Sequence, residues 1–510
     1  MVKKHTQEFL VLIVSCVLLG VFIGEVTGIH YDEAFVISQS KQIGAGERPL
    51  SGMTSYSGAL HQYLLVPFFE IFGYKIEVLR AGSLFFNTFA VALIMYLIKK
   101  LYPTTGINKL AGILLCTSPA FVMISRYAGE VQCLNAFLTI LSLVFFYHSI
   151  TTRKGLSFPF ALLGGLTLGI LAYNHFIGLV VLISLILSTS IVYGFHWLKT
   201  SIPWSGGIGF LGGISVWMYQ FTFGSLANSW TEKAARGSFT ELLTDIANLP
   251  GILNKVLNGG LLYNLFVGRV EYYVVPYITI AFFSLLGYRI LCRQQFKFSQ
   301  AECFLFLFTL FLVFFTILVA PNFSPHYFLL PVYSFTVLLS LLSKPLIAHG
   351  NNWMKSVSYG LLGIIVAFNI FYVATNYFIS YRKTGGNLSI FSIGNRVTTT
   401  SNCWVQTYDL FRQLKEKGVK VVFTDLSIRS PLYILDTDNS IPEFADYDRI
   451  PRSVSALKNN VAVIFYNGIN LVRKNRYTPP DSGTIRYGEV LYEADSSFDK
   501  HFKVFLAGPN

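Results

Sequence analysis

Residues 9–35, FLVLIVSCVLLGVFIGEVTGIHYDEAF, decide how the rest of the chain is read. The run from Phe9 is apolar up to Glu25, and His30, Tyr31, Asp32 and Glu33 follow almost at once. A membrane-spanning helix needs about 20 mostly apolar residues, so the stretch predicts a first span near residues 9–25 with an acidic pair at its far mouth. The run is long and lacks a small-residue cleavage site, which marks it as an anchor rather than a removed signal.

The same pattern recurs along the 510 residues, of which 53% are hydrophobic and only 13% charged, with a mean hydropathy of +0.53. Ordinary globular chains carry about 25% charged residues, so a water-soluble protein, a coiled coil, a disordered tail and a nucleic-acid binder are all excluded. Further spans are predicted near 79–98, 108–124, 132–150, 157–174, 176–195, 204–222, 272–291, 302–320, 327–343 and 357–378, giving about 11 transmembrane helices. The 157–195 stretch reads as one kinked helix or two short ones, interrupted only at Asn174 and His175.

The net charge of +13 reads as topology before it reads as a polyanion site. With Lys3 and Lys4 inside, alternate loops carry Lys99, Lys100 and Lys109, then Arg153 and Lys154, Lys199, Arg289, Arg293 and Lys297, and finally Lys344 and Lys355, as the positive-inside rule requires. The prediction is therefore a multi-pass protein of the cell (inner) membrane whose opposite, extracytoplasmic face carries two long segments, 26–78 and 223–271. The aromatic stretch Tyr56 to Gly73 within the first reads as helices lying along the interface. From residue 379 the patterning becomes that of a soluble α/β domain, and half of the chain's 26 acids lie there. Two domains follow, a membrane domain over 1–378 and an extracytoplasmic domain over 379–510 with a helix near 404–417 and strands at 419–423 and 461–466. The six cysteines have no metal-ligand or disulfide spacing.

Polar groups at a bilayer are costly and are functional candidates by default. Here they gather on the outer face: His30 to Glu33 after the first span, Ser125, Arg126, Tyr127 and Glu130 between the third and fourth, Asn174 and His175, then Pro325, His326 and Tyr327 at the tenth. That convergence suits moving a sugar from a lipid-linked phosphate to an acceptor hydroxyl or amine. A carboxylate, Asp32, would serve as general base, and cationic or hydrogen-bonding groups would hold the departing phosphate.

The acidic pair after the first span, the stretch from Tyr56, Ser57, Gly58, Ala59, Leu60 and His61 to Phe72 and Gly73, Leu79 and Arg80, Ser125 and Arg126, Gly165 to Gly169 before His175, and His326 to Pro331 together resemble the dolichyl-phosphate-mannose protein mannosyltransferase and aminoarabinose transferase group of GT-C membrane glycosyltransferases. The resemblance covers roughly residues 8–345. It implies a polyprenyl-phosphate-linked sugar donor, inverting transfer on the outer face, a base at Asp32 and no nucleotide sugar. Asn135 stands where relatives often carry an acid, His175 where a Lys follows the Gly-rich span, and His326 where an Arg opens the Tyr-Phe-Leu-Pro-like motif.

The expected site is then Asp32 and Glu33 as catalytic residues, with Arg126, His175, His326 and Tyr327 on the donor phosphate. Tyr56, His61 and Glu130 are expected at donor or acceptor. No metal site is expected, although a divalent cation stays open as cofactor. The partners are a polyprenyl-phosphate-linked sugar, membrane lipids and a lipid, protein or glycan acceptor, and no nucleic acid. The bland alternatives are a helix cap for Asp32 and Glu33, an interfacial anchor for Arg126, a buried interhelical histidine at 175, and interfacial aromatics for Tyr56, His61 and Tyr63. The rival function is a multi-pass transporter or lipid flippase, which calls for charged or broken helices near the midplane.

Overall fold

The computed structural model describes residues 6–24, 29, 31–52, 57–103, 106–126, 132–152, 154–223, 247, 277–291, 297–319, 325–349, 352–379, 390–393, 396–399, 406–424, 426–436, 439–445, 449–450, 460–466, 484–487, 490–497 and 502–507. Every predicted span coincides with a helix or a broken helix pair. In chain order these are α1 (Thr6–Gly20), α4 (Ile76–Leu101), α5 with α6 (Ile107–Thr117 and Pro119–Arg126), α7 (Gln132–Thr151), α8 (Lys154–Asn174), α9 (Ile177–Tyr193), α10 (Ser201–Phe223), α11 (Tyr277–Leu291), α12 (Gln300–Val319), α13 (Leu329–His349) and α14 (Asn352–Tyr372). Among the described residues, six helices are long and apolar enough to cross a bilayer, seven if the α5–α6 pair counts as one span. Helices α1, α9 and α11 are apolar but shorter. The chain is a multi-pass membrane protein.

The α5–α6 break has a local cause. Pro119 has no N–H and pushes the residue before it out of helical conformation, and Ser118 accordingly sits at φ −57° and ψ 126°. The two halves meet at 61°. Helices α8 and α10 cross closely because glycines line both. A Cβ on Gly165 would strike the Gly206 backbone, one on Gly169 the Phe210 carbonyl, and one on Gly209 the Leu162 carbonyl. This is the small-residue packing that membrane helices use where no hydrophobic force separates helix from lipid. Gly165 and Gly169, quoted above for a family resemblance, serve this crossing.

One end of the bundle collects cations. Lys99 meets Glu8 at 2.7 Å, and Arg289, 2% exposed, donates to Glu302 at 3.1 and 3.3 Å. Ser299 and Glu302 exchange backbone hydrogen bonds as a capping box at the start of α12. Arg289 therefore has a packing task beyond the topological one that the sequence suggests.

At the opposite end two short helices lie against the bundle, α2 (Tyr31–Gly44) and α3 (Leu60–Phe72). Helix α3 buries His61, Gln62, Leu65 and Phe69 and exposes Leu64, Phe68, Ile71 and Phe72. An apolar face turned outward is what a helix lying in the membrane interface presents.

The carboxyl-terminal part forms a hairpin of β1 (Ile390–Ile393) and β2 (Arg396–Thr399) and a six-stranded sheet. Its strands are β3 (Val421–Thr424), β4 (Glu443–Ala445), β5 (Val461–Tyr466), β6 (Thr484–Tyr487), β7 (Val490–Asp495) and β8 (Phe502–Ala507), in the order β4-β3-β5-β8-β7-β6. The first three are parallel and the rest antiparallel. Helices α15 (Gln406–Glu416) and α16 (Leu426–Leu435) bury Leu410, Leu414, Ile428 and Leu432 against Val422, Ala462, Ile464 and Val504. Phe423, Val463 and Phe505 point to the other face, the alternation that a two-sided strand imposes.

Candidate active site

The acidic pair opens α2, so both carboxylates occupy the first turn, where the helix dipole favours negative charge. Neither is a solvated loop residue: Asp32 is 4% exposed and Glu33 fully buried. Arg80, one turn into α4, donates from Nε and Nη2 to the two Glu33 oxygens at 2.9 and 2.8 Å. Its third nitrogen, Nη1, donates to the Ile23 carbonyl at 2.9 Å. One guanidinium thus ties the exit of α1 to the first turn of α2. Glu33 is held by this fork.

Arg126, at the end of α6, donates to the carbonyls of Leu19 at 2.6 Å, Phe22 at 3.2 Å and Leu18 at 3.4 Å. Phe378, on the π-helical turn Val373–Ile379 that follows α14, places its ring 4.9 Å from the guanidinium carbon. Arg126 caps the carboxyl end of α1, and the phosphate contact expected of it requires it to share or leave those carbonyls. It stays within electrostatic range of the Glu33–Arg80 pair.

The Asn174-His175 break is where the segment after α2 is anchored. Ser57 bridges to His175, Gly58 N–H donates to the Asn174 carbonyl at 3.0 Å, and the Tyr173 hydroxyl donates to the Leu50 carbonyl at 2.9 Å. Gly58 is needed, since a Cβ there would lie 2.7 Å from the Tyr173 ring. The Asn174 amide donates to Asn135 Oδ1 at 2.8 Å, both side chains being fully buried. His175 accepts the Ile177 N–H on Nδ1 at 3.2 Å, and its ring centroid lies 5.4 Å from that of Tyr327. The structure brings His175 and Tyr327 together.

His61 opens α3 fully buried, and burial pushes its imidazole down to about 4, so it is neutral at physiological pH. Tyr56 and Glu130 lie outside the described residues, as does the side chain of His326, whose backbone sits in the helical turn Pro325–Phe328. Among the described residues, no three His, Cys, Asp or Glu side chains gather to hold a metal.

Several polar residues that the sequence does not single out also meet on this face. Ser83 donates to the Ser125 carbonyl at 2.8 Å, and Tyr333 donates to Asn87 Oδ1 at 3.0 Å, a buried polar seam beneath the site. Gln39 and Gln220 both converge on Ser51, at 2.9 and 2.8 Å. For Arg80 the signal was present: a cation opening a span on the face that the charge rule leaves poor in cations. The amides gave none, being separated by tens to hundreds of residues.

One solved structure with this architecture is ArnT from Cupriavidus metallidurans. Its structure bound to undecaprenyl phosphate aligns with a TM-score of 0.61 at 11% identity, over 99% of this chain and 100% of that one. Its apo state gives the same score and identity over 100% of both chains. At this identity the likeness is one of fold. No family model and no curated protein matches the chain.

Proposed function

We propose that this protein is an integral membrane glycosyltransferase that takes a sugar from a polyprenyl-phosphate-linked donor. The observation that carries the reading is the end-to-end likeness to ArnT, one form of which is bound to undecaprenyl phosphate. The buried carboxylate of Asp32, at the bundle end away from the cationic cluster, agrees with it. In this reading Asp32 removes the acceptor proton as the acceptor atom bonds to the anomeric carbon and the carbon–oxygen bond to phosphate breaks. The carrier phosphate leaves with the electron pair, and a single displacement inverts the anomeric centre. Glu33, held by Arg80, orients the turn that bears the base. His175, Tyr327 and His326 hold the phosphate, and Arg126 adds positive potential from the end of α1. Tyr56, His61 and Glu130 face donor or acceptor. The site and the unit from residue 379 onward lie on the extracytoplasmic side, away from Lys99, Lys100 and Lys344.

The test is donor consumption by the lipid-reconstituted protein from a panel of polyprenyl-phosphate sugars, with cell-envelope extract as acceptor. Wild-type turnover that falls by about 10³-fold or more in Asp32→Asn, with donor binding retained, supports both the reaction and the base. Unaltered turnover in Asp32→Asn removes Asp32 as base. Lipid translocation without donor consumption makes the protein a flippase.

A further inference from the structure

The end of α1 is held by side chains from three separate parts of the chain. Arg126 takes the Phe22 carbonyl, Arg80 that of Ile23, and Tyr408, on α15 of the carboxyl-terminal unit, donates to that of Gly24 at 3.1 Å. Phe22, Ile23 and Gly24 lie just past the Gly20 end of α1, and their three consecutive carbonyls are each held by a side chain from elsewhere in the chain. A second contact reinforces the third clamp. Ile434 and Leu435 of α16 pack on the cluster of Ile29, Ala34, Val36 and Ile37, the apolar side of the corner and helix that carry Asp32, and the Lys41 ammonium lies 6.0 Å from the Tyr433 ring centroid. The carboxyl-terminal unit therefore reaches both the Gly24 carbonyl after α1 and the apolar side of α2.

We propose that Tyr408 is a positioning residue for the transfer reaction: its hydroxyl fixes the α1–α2 corner, and docking of the carboxyl-terminal unit thereby sets the place of Asp32. The proposal rests on Asp32 being the general base. A base must stand within hydrogen-bond reach of the proton it removes, and a misplacement of about 1 Å costs about 10²-fold in rate. Tyr408 makes its contact through a neutral hydroxyl at the carbonyl of Gly24, outside the phosphate-binding set, so its loss should fall on turnover and not on donor capture.

The test is Tyr408→Phe, which deletes one oxygen, in the full-length reconstituted protein. Three readouts are needed: the donor kcat and KM, the thermal midpoint, and amide hydrogen exchange. The expected result is a kcat about tenfold lower with KM within about twofold, an unchanged midpoint, and faster exchange over residues 29–37 while β5 and β8 exchange as before. An unchanged kcat, or exchange that rises equally across the sheet, overturns the proposal, the second because it marks a merely structural contact. If wild-type protein consumes no donor, the proposed reaction falls and the exchange readout still decides: protection of 29–37 that survives Tyr408→Phe overturns the positioning role.

Discussion

Arg80 and Glu33 form a forked ion pair, 2.9 and 2.8 Å, with their side chains 1% and 0% exposed. Removing one partner of such a pair strands a buried charge and costs about 3–5 kcal/mol, whereas replacing both is often nearly neutral. Arg80→Met and Glu33→Leu are each expected to lower the thermal midpoint of the detergent-solubilised protein steeply. Arg80→Met with Glu33→Leu should recover most of the loss, and a double-mutant cycle in which the two losses simply add would show that the pair is not coupled.

The glycines of the α8–α10 crossing separate close approach from open space. Gly169→Ala drives a Cβ into the Phe210 carbonyl, an overpacking expected to cost about 1–3 kcal/mol. Gly207, on the same α10, has nothing within 4 Å of its Cβ position. Gly207→Ala should be neutral or stabilising by about 0.5–1 kcal/mol, since alanine loses less chain entropy in a helix. Chemical denaturation of both variants beside wild type checks the contrast.

Stability should fall in acid through His61. Its folded-state value of about 4 lies below the ordinary 6.5, so between those values the unfolded chain binds the extra proton. The contribution is complete above pH 6.5 and is lost progressively down to pH 4, reaching about 2 kcal/mol by pH 5. His61→Gln should flatten the midpoint-against-pH curve in that window, and a curve that keeps its wild-type slope assigns the acid sensitivity elsewhere.

At the cationic end, Glu302 answers Arg289 and the Ser299 N–H together. Glu302→Ala is expected to cost about 3–5 kcal/mol because Arg289 stays buried, against about 1 kcal/mol for Ser299→Ala as a lost helix cap. Equal losses, read from melting curves, would mean that the cap and not the charge holds α12.

The elements legible in the sequence were those with a local signature. The strand Val461–Tyr466 was read to the residue because its apolar run has polar flanks, and the Asn174-His175 interruption is the actual boundary of α8 and α9. The α5–α6 bend was passed over although Pro119 announces it, because hydropathy averages across a single break. Candidate site residues are legible where a polar group sits at a span end, as at Asp32 and His175. What stays illegible is the burial of a charge counted for topology, as with Arg289, the grip of Arg126 on the α1 carbonyls, and any pair whose partners are remote, as with Asn135 and Asn174. Composition and period report on neighbours along the chain, and these contacts join residues that only the folded bundle makes neighbours.

The three clamps on the end of α1 also set an order of assembly. The chain at the end of α1 is made before any of its clamps: Arg80 follows its partner Ile23 by 57 residues, Arg126 follows Phe22 by 104, and Tyr408 follows Gly24 by 384. A growing chain thus carries its acidic turn long before it owns the groups that hold it. The turn reaches its finished form only when α15 has been made and has folded back onto the end of α1.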